Sequence, residues 1–112
     1  MKQTMFSVVI PNWNGALHLP TCLASLRSQR SRSLEIIVVD NASTDGSLEL
    51  LACDYPEVRL LALESNHGFT GACNAAIRVA QGAIVVLLNN DTEAAPDWLD
   101  EIKTAFQRYP DA

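Results

Sequence analysis

Four short apolar runs punctuate the chain: Phe6–Ile10, Leu34–Val39, Val58–Leu63 and Ala83–Leu88. They are rich in Val, Ile and Leu and nearly continuous instead of alternating, the pattern of parallel strands covered on both faces. Between and after them, apolar residues recur with the helical period. Leu19, Cys22, Leu23 and Leu26 form one such stripe, Leu48, Leu51, Ala52 and Tyr55 a second, and Cys73, Ala76, Ile77 and Ala80 a third. Gly82 reads as the stop of the third helix. A fourth helix is predicted with Pro96 near its first position and Asp97 in its first turn. It carries Leu99, Ile102 and Phe106 on one face, has Arg108 in its last turn and ends at Pro110. Strand and helix in strict alternation predict an α/β domain with a Rossmann-like parallel sheet, strand order 3-2-1-4. Right-handed crossovers then place helices on both faces. The third helix faces the sheet with Ala and Cys and should pack closely.

Bulk properties narrow the classes. With 112 residues the chain fits one domain. It is 48% hydrophobic and 19% charged, a globular composition and not a disordered one. A net charge of −5 argues against a nucleic-acid backbone as partner and against unaided adsorption to an anionic membrane. A small anionic ligand stays open, because backbone N–H groups and a metal ion supply positive field locally. Cys22, Cys53 and Cys73 are odd in number and widely spaced, which excludes zinc and C-x-x-C redox motifs. All three are expected to be small buried hydrophobes in a reducing cytoplasm. Met1-Lys2-Gln3-Thr4 leads straight into a strand without a signal-peptide core. The longest clean apolar run, Ala83–Leu88, is far too short to span a bilayer. Asn41-Ala42-Ser43 and Asn90-Asp91-Thr92 match the N-glycosylation pattern, read here as coincidence. The sequence ends at Asp111-Ala112, soon after the fourth helix. An unguarded sheet edge is then expected, and with it a missing second half or a homodimer through that edge.

Ligands of an open parallel sheet bind outside the carboxyl ends of its strands. The residues there are small and polar in all four cases: Pro11-Asn12-Trp13-Asn14-Gly15, Asp40 to Ser47, Glu64 to Gly71, and Asn89-Asn90-Asp91-Thr92-Glu93. Asp40 and Asp91 each follow a strand. With strands two and four flanking strand one, they stand on the order of 10 Å apart. That is too far for a shared acid–base pair and about the length from a nucleoside to its diphosphate. Several of these residues have plain structural uses. Asp40 suits a turn, and Ser43 and Asp45 suit either a helix N-cap or a ligand contact. Trp13 either packs or stacks on a base. Gly68 and Gly71 read as turn glycines with positive φ. His67 reads as a solvated loop residue and His18 as surface, with no role for either. Asp91, after an apolar strand and inside Asn-Asn-Asp-Thr, has little packing purpose.

The series Val8-Val9-Ile10-Pro11-Asn12-Trp13-Asn14, then Val38-Val39-Asp40-Asn41-Ala42-Ser43-Thr44-Asp45-Gly46-Ser47, resembles glycosyltransferase family 2. Asn66-His67-Gly68-Phe69-Thr70-Gly71-Ala72-Cys73-Asn74 and Leu87-Leu88-Asn89-Asn90-Asp91-Thr92 resemble its rhamnosyltransferase-like branch. The resemblance covers nearly the whole chain with its motifs in order. It implies the N-terminal half of a GT-A fold: residues 1–112 as a single nucleotide-sugar-binding domain, cut before the acceptor-binding half. Pro11 and Trp13 would frame the base, Asp40 would accept a hydrogen bond from it, and Ser43 and Asp45 would shape the rim, with Asn14 in the same motif. Asn66 and Asn74 would line the other side of the nucleotide. Asn89 and Asn90 occupy the place of the D-x-D motif with Asp91, the implied ligand of Mg²⁺ or Mn²⁺. Two departures stand out: Asn89 replaces the first Asp of D-x-D, and Cys73 stands where many relatives carry Arg.

The resemblance further implies inverting transfer from a UDP-, dTDP- or GDP-sugar, with dTDP-rhamnose hinted at by the branch. The acceptor would be a saccharide or a lipid-linked one, with the full-length protein peripheral at the cytoplasmic face of the membrane. No residue of the chain suits the general base, which is expected beyond residue 112, so donor binding without turnover is predicted. The alternative is a non-catalytic nucleotide binder or a nucleotidyltransferase-like domain. A dinucleotide-binding G-x-G-x-x-G and a P-loop are both lacking after strand one. A receiver-type domain with Asp40 as phospho-acceptor would want an acidic pair and a later Lys, and neither is present.

Overall fold

The computed structural model describes residues 4–109. Four strands, β1 (Phe6–Asn12), β2 (Leu34–Asp40), β3 (Arg59–Ala62) and β4 (Ile84–Leu87), alternate with four helices, α1 (Leu19–Arg27), α2 (Ser47–Asp54), α3 (Gly68–Val79) and α4 (Trp98–Arg108). All strand pairs are parallel, in the order β3-β2-β1-β4. The predicted α/β architecture and strand order therefore hold. Successive side chains of β1 enter opposite layers. Val8 and Ile10 join Leu19, Leu23, Leu26, Val38, Leu51 and Leu99, which puts α1, α2 and α4 on one face. Val9 joins Ile37, Val39, Ala72 and Ala76, which puts α3 alone on the other. Each fully buried Val, Ile or Leu contributes roughly 1.5–3 kcal/mol before conformational entropy is counted.

Strand lengths differ from the apolar runs in an informative way. β1 and β2 run on through Pro11, Asn12 and Asp40, with Asn12 in register with Asp40. Pairing of β4 stops at Val9↔Leu87, with one further bond from Leu88 N to Val9 O at 2.9 Å. The two inner strands thus reach beyond β4, and polar residues continue the pairing because their backbones still have partners.

Several local expectations need correction. Of the predicted α2 stripe Leu51 and Tyr55 are buried in the core, whereas Ala52 is exposed, and Ser47 and Leu50 take up the rest of the buried side. In α3 Ala72, Cys73 and Ala76 are buried, whereas Ile77 is 44% exposed. Phe106 of α4 is likewise 39% exposed. α4 begins only at Trp98, so Asp97 precedes it and Asp100 and Glu101 occupy its first turn. Pro110 lies outside the described residues. Gly82 is not a left-handed helix stop, for its φ is not positive. A Cβ there would lie 2.6 Å from the backbone of Phe6 and Ser7, so close passage over β1 demands glycine. Gly68 has φ +74, as expected of a turn glycine, but Gly71 is helical and sits against His67, whose Cβ would be 2.8 Å from an added Cβ. Cys22 and Cys73 are buried, yet Cys53 is exposed, and all three are free thiols. Among the described residues no helix is long and apolar enough to cross a membrane.

Candidate functional site

The carboxyl ends of the strands surround a cleft of about 410 Å³ lined by Pro11, Asn12, Trp13, Asn41, Asn66, Gly68, Phe69, Asn89, Asn90 and Asp91. Every strand end supplies part of it, as an open parallel sheet requires. Trp13 and Phe69 are 58% and 56% exposed. Two large aromatic surfaces left in water beside a polar cleft are available for stacking on a flat ligand.

Six of the residues singled out by sequence meet in this cleft: Pro11, Trp13, Asn66, Asn89, Asn90 and Asp91. Asp40, Asn14, Ser43 and Asp45 do not line it but form the hydrogen-bonded layer that joins two of its loops. Asp40 is fully buried. Its Oδ1 accepts from Asn12 Nδ2 at 2.9 Å and from Ser43 Oγ at 2.7 Å, and its Oδ2 accepts from Ser43 N at 2.8 Å. Ser43 Oγ in turn accepts from Asn14 N at 2.8 Å, and Asn14 Oδ1 accepts from Thr44 N at 2.9 Å. Asp45 accepts from Ala16 N through one oxygen and from the amide and hydroxyl of Ser47 through the other. It therefore serves the first turn of α2 from two residues upstream, while Gly46 takes the N-cap position. The Ser47 hydroxyl, with the Ala16 and Ser47 amides, holds the Asp45 carboxyl below the usual carboxylate range. These bonds support two non-glycine residues in the left-handed region, Asn14 at φ 52 and Ala42 at φ 63. For Ala42 that conformation costs about 1–2 kcal/mol, offset by the hydrogen bonds around it. Asn74 is exposed on α3, outside the cleft lining.

Asn12, Asn41 and Phe69 were missed as site residues. Alternation along a strand offers a signal for Asn41: of two adjacent residues at a strand end, one points down and the other across. Asp40 takes the inward direction, and Asn41 faces the cleft. Asn41 also clips the loop after β3, donating from Nδ2 to Gly68 O at 3.2 Å and accepting from His67 N at 3.1 Å. Phe69 stands in the Asn66-to-Gly71 motif, and an apolar ring in so polar a loop is itself a signal.

The electrostatics are simple. Asp91 is the sole titratable residue of the cleft lining; it is exposed, and no hydrogen bond or ion pair holds its carboxylate among the described residues. Beneath it lies Cys22, whose thiol is pushed up to about 11, mainly by burial and further by the nearby Asp91. Among the described residues no cluster of three His, Cys, Asp or Glu side chains could enclose a metal ion. The donor set at Asp91 is one hard carboxylate flanked by amides. That does not suit an all-protein cage, but it fits a cation that keeps water and shares phosphate oxygens, as Mg²⁺ does.

Comparison with known proteins gives a consistent picture. The sequence profile of Glycosyl transferase family 2 matches residues 7–112. The chain is 39% identical over 101 residues to an uncharacterized glycosyltransferase, YibD, of Escherichia coli K12, covering 88% of the chain and 29% of that protein. It is 36% identical over 92 residues to the succinoglycan biosynthesis protein ExoO of Rhizobium meliloti, covering 81% of the chain and 26% of the relative. Among solved structures, TarS of S. aureus in complex with UDP superposes with a TM-score of 0.85 at 26% identity, over 93% of the chain and 32% of the TarS chain. The mannosyltransferase PcManGT of Pyrobaculum calidifontis, in complex with GDP-Man and Mn²⁺, gives 0.80 at 30% identity, over 95% and 33%. The chain thus spans less than a third of the length of these two curated relatives.

Proposed function

Because the chain belongs to glycosyl transferase family 2, we propose that its strand-end cleft binds the nucleoside-diphosphate part of a sugar donor and that the protein transfers the sugar with inversion. The observation that carries this reading is the free, exposed Asp91 carboxylate in one strand-end cleft with polar amides and the exposed rings of Trp13 and Phe69. TarS with UDP and PcManGT with GDP-Man and Mn²⁺ share the fold, which supports a nucleotide-sugar ligand here. In this reading Pro11 and Trp13 frame the base, with Phe69 as a further apolar surface. Asn41 and Asn66 offer amide contacts, while Asp40, Ser43, Asp45 and Asn14 hold the loops from beneath. Asn74 would take part only by contacts made once the ligand is in place. Asn89 and Asn90 flank the diphosphate.

A Mg²⁺ or Mn²⁺ ion would be held by Asp91 together with donor phosphate oxygens, and would supply neutralisation of the charge growing on the diphosphate as it leaves. The acceptor hydroxyl, of a saccharide or a lipid-linked one, forms the new C–O bond at the anomeric carbon while the bond to the diphosphate breaks. Its proton goes to a general base on the far side of the sugar. The cleft holds no second titratable residue for that task. Residues 1–112 are therefore read as the nucleotide-sugar-binding part of a longer enzyme working in the cytoplasm or at the cytoplasmic face of the membrane.

Calorimetric titration of UDP, dTDP, GDP and NAD⁺, with and without Mn²⁺, tests this on the wild type and on Asp91→Ala. One nucleoside diphosphate is expected to bind in a Mn²⁺-dependent way, weakened by at least about tenfold in Asp91→Ala, equivalent to about 1.4 kcal/mol. Binding of NAD⁺ indifferent to metal, or an Asp91→Ala protein that binds like the wild type, would overturn it.

A further inference from the structure

We infer that Asn12 is a positioning residue: it carries the fixed hydrogen-bond polarity of Asp40 across to Asn90 and so sets the loop that bears Asp91. The inference rests on the reading of Asp91 as a cation ligand and adds what orients it.

Asp40 is a carboxylate at 0% exposure and can only accept. The Asn12 amide is 1% exposed, so it has no water to exchange with, and it must turn its NH₂ group toward Asp40, at 2.9 Å. Its carbonyl oxygen is then forced to the opposite side. There it accepts from Asn90 Nδ2 at 2.8 Å. The direction of the second bond is fixed by the charge behind the first. The backbone gives this loop little other support on the side of β1. Pairing of β4 with β1 ends at Val9↔Leu87, and the last ladder bond is Leu88 N to Val9 O, whereas β1 itself continues to Asn12. Past Leu88, the Asn12–Asn90 amide pair is the described link from β1 to the residues before Asp91.

Gly15 is a second and independent mark of the same contact. A Cβ at that position would stand 2.1 Å from Asn90 Nδ2 and 2.4 Å from Asn12 Oδ1. Gly15 has no positive φ that would otherwise require glycine. The chain after β1 lies so close over the amide pair that only a residue without a side chain leaves the pair intact.

Asn12→Ala removes a partner of a buried carboxylate and endangers folding, so Asn90→Ala and Gly15→Ala carry the test. Both leave the bonds from Ser43 to Asp40 in place. Two quantities are read on the full chain: amide hydrogen exchange of residues 89–92 without ligand, and the Mn²⁺ concentration needed for binding of UDP, dTDP or GDP, whichever binds. Both variants are expected to speed exchange in that loop while β1 and β2 stay protected, and to raise severalfold the Mn²⁺ concentration needed for nucleotide binding. Nucleotide affinity in metal-free buffer should not move in Gly15→Ala, whose position lies outside the cleft lining. Unchanged loop exchange in both variants overturns the inference, and so does faster exchange with an unaltered Mn²⁺ requirement. If the wild type itself shows no Mn²⁺ dependence, the donor-site reading fails. Loop exchange then decides the inference alone, faster exchange sustaining the link and unchanged exchange ending it.

Discussion

Gly82 illustrates how much a single residue can be constrained by a neighbour distant in sequence. Its amide donates to Ser7 Oγ at 2.7 Å while its Cα passes over the β1 backbone. Gly82→Ala must therefore push the start of β4 away from β1, for backbone atoms 2.6 Å from the new methyl cannot rotate aside. A loss of about 1–3 kcal/mol is expected, typical of overpacking. It should be read as a lower urea midpoint at unchanged m-value. The cysteines give a second residue-scale expectation. Cys53 is exposed, whereas Cys22 and Cys73 are buried with thiols raised by desolvation. In a thiol-labelling assay at pH 8 one group per chain should react at once and the other two only on unfolding. Fast labelling of three thiols would mean that the α1 and α3 packing is wrong. The sequence pattern marked all three cysteines as buried because it counts apolar neighbours, and Cys53 has them in sequence but faces water at the end of α2.

At the scale of elements, the strands were legible because β1 and β2 are buried on both faces and so carry unbroken apolar runs. The helical stripes of α1 were legible for the same reason: Leu19, Cys22, Leu23 and Leu26 are all buried. The α2 stripe holds at Leu51 and Tyr55 but not at Ala52, since at the sheet margin an eight-residue helix rich in Leu offers more apolar positions than the core takes up. What sequence could not give was the side-chain bonding between elements. Gln29, just past α1, looks like a solvated polar residue, yet it is 2% exposed. Its Nε2 donates to Ala95 O at 2.6 Å and its Oε1 accepts from Leu99 N at 3.1 Å, partners 66 and 70 residues away. Ser25 Oγ accepts from Ala94 N at 2.9 Å in the same place. α1 thereby grips the far end of the segment that starts at Asp91. Gln29→Leu fills the space but leaves the Leu99 amide unpaired and takes Gln29 Nε2 from Ser25 O and Ala95 O, the latter keeping the Trp98 amide. About 1–3 kcal/mol per unsatisfied group is expected to be lost. Chemical denaturation should detect this, with α4 exchanging its amides before the sheet does.

For the whole molecule, the decisive features are one uncovered flank and one cleft with a single titratable residue in its lining. α3 lies over β1 and β2, so Val85 and Leu87 of the edge strand β4 remain 40% and 46% exposed on that side. β4 is also an edge strand of the sheet, and the candidate site sits at its carboxyl end through Asn89, Asn90 and Asp91. The site was legible as four strand-end loops, because the fold class alone says where a ligand goes. Which side chains of those loops face the cleft depended on strand alternation and on the buried Asp40 network. The same geometry bounds the chemistry. If Asp91 holds a cation as proposed, it cannot also serve as the acceptor's general base on the opposite face of the sugar, and no other titratable residue lines the cleft. The 112-residue chain should therefore bind its nucleotide and yet transfer no sugar to saccharide or lipid-linked acceptors. A radiolabelled donor incubated with the chain, with product counted against a no-protein control, checks this directly. Transfer above background by this chain would require a base from the cleft itself or from a second copy meeting the β4 edge. Repeating the assay across a range of protein concentrations separates these, since turnover per chain rises with concentration only in the second case.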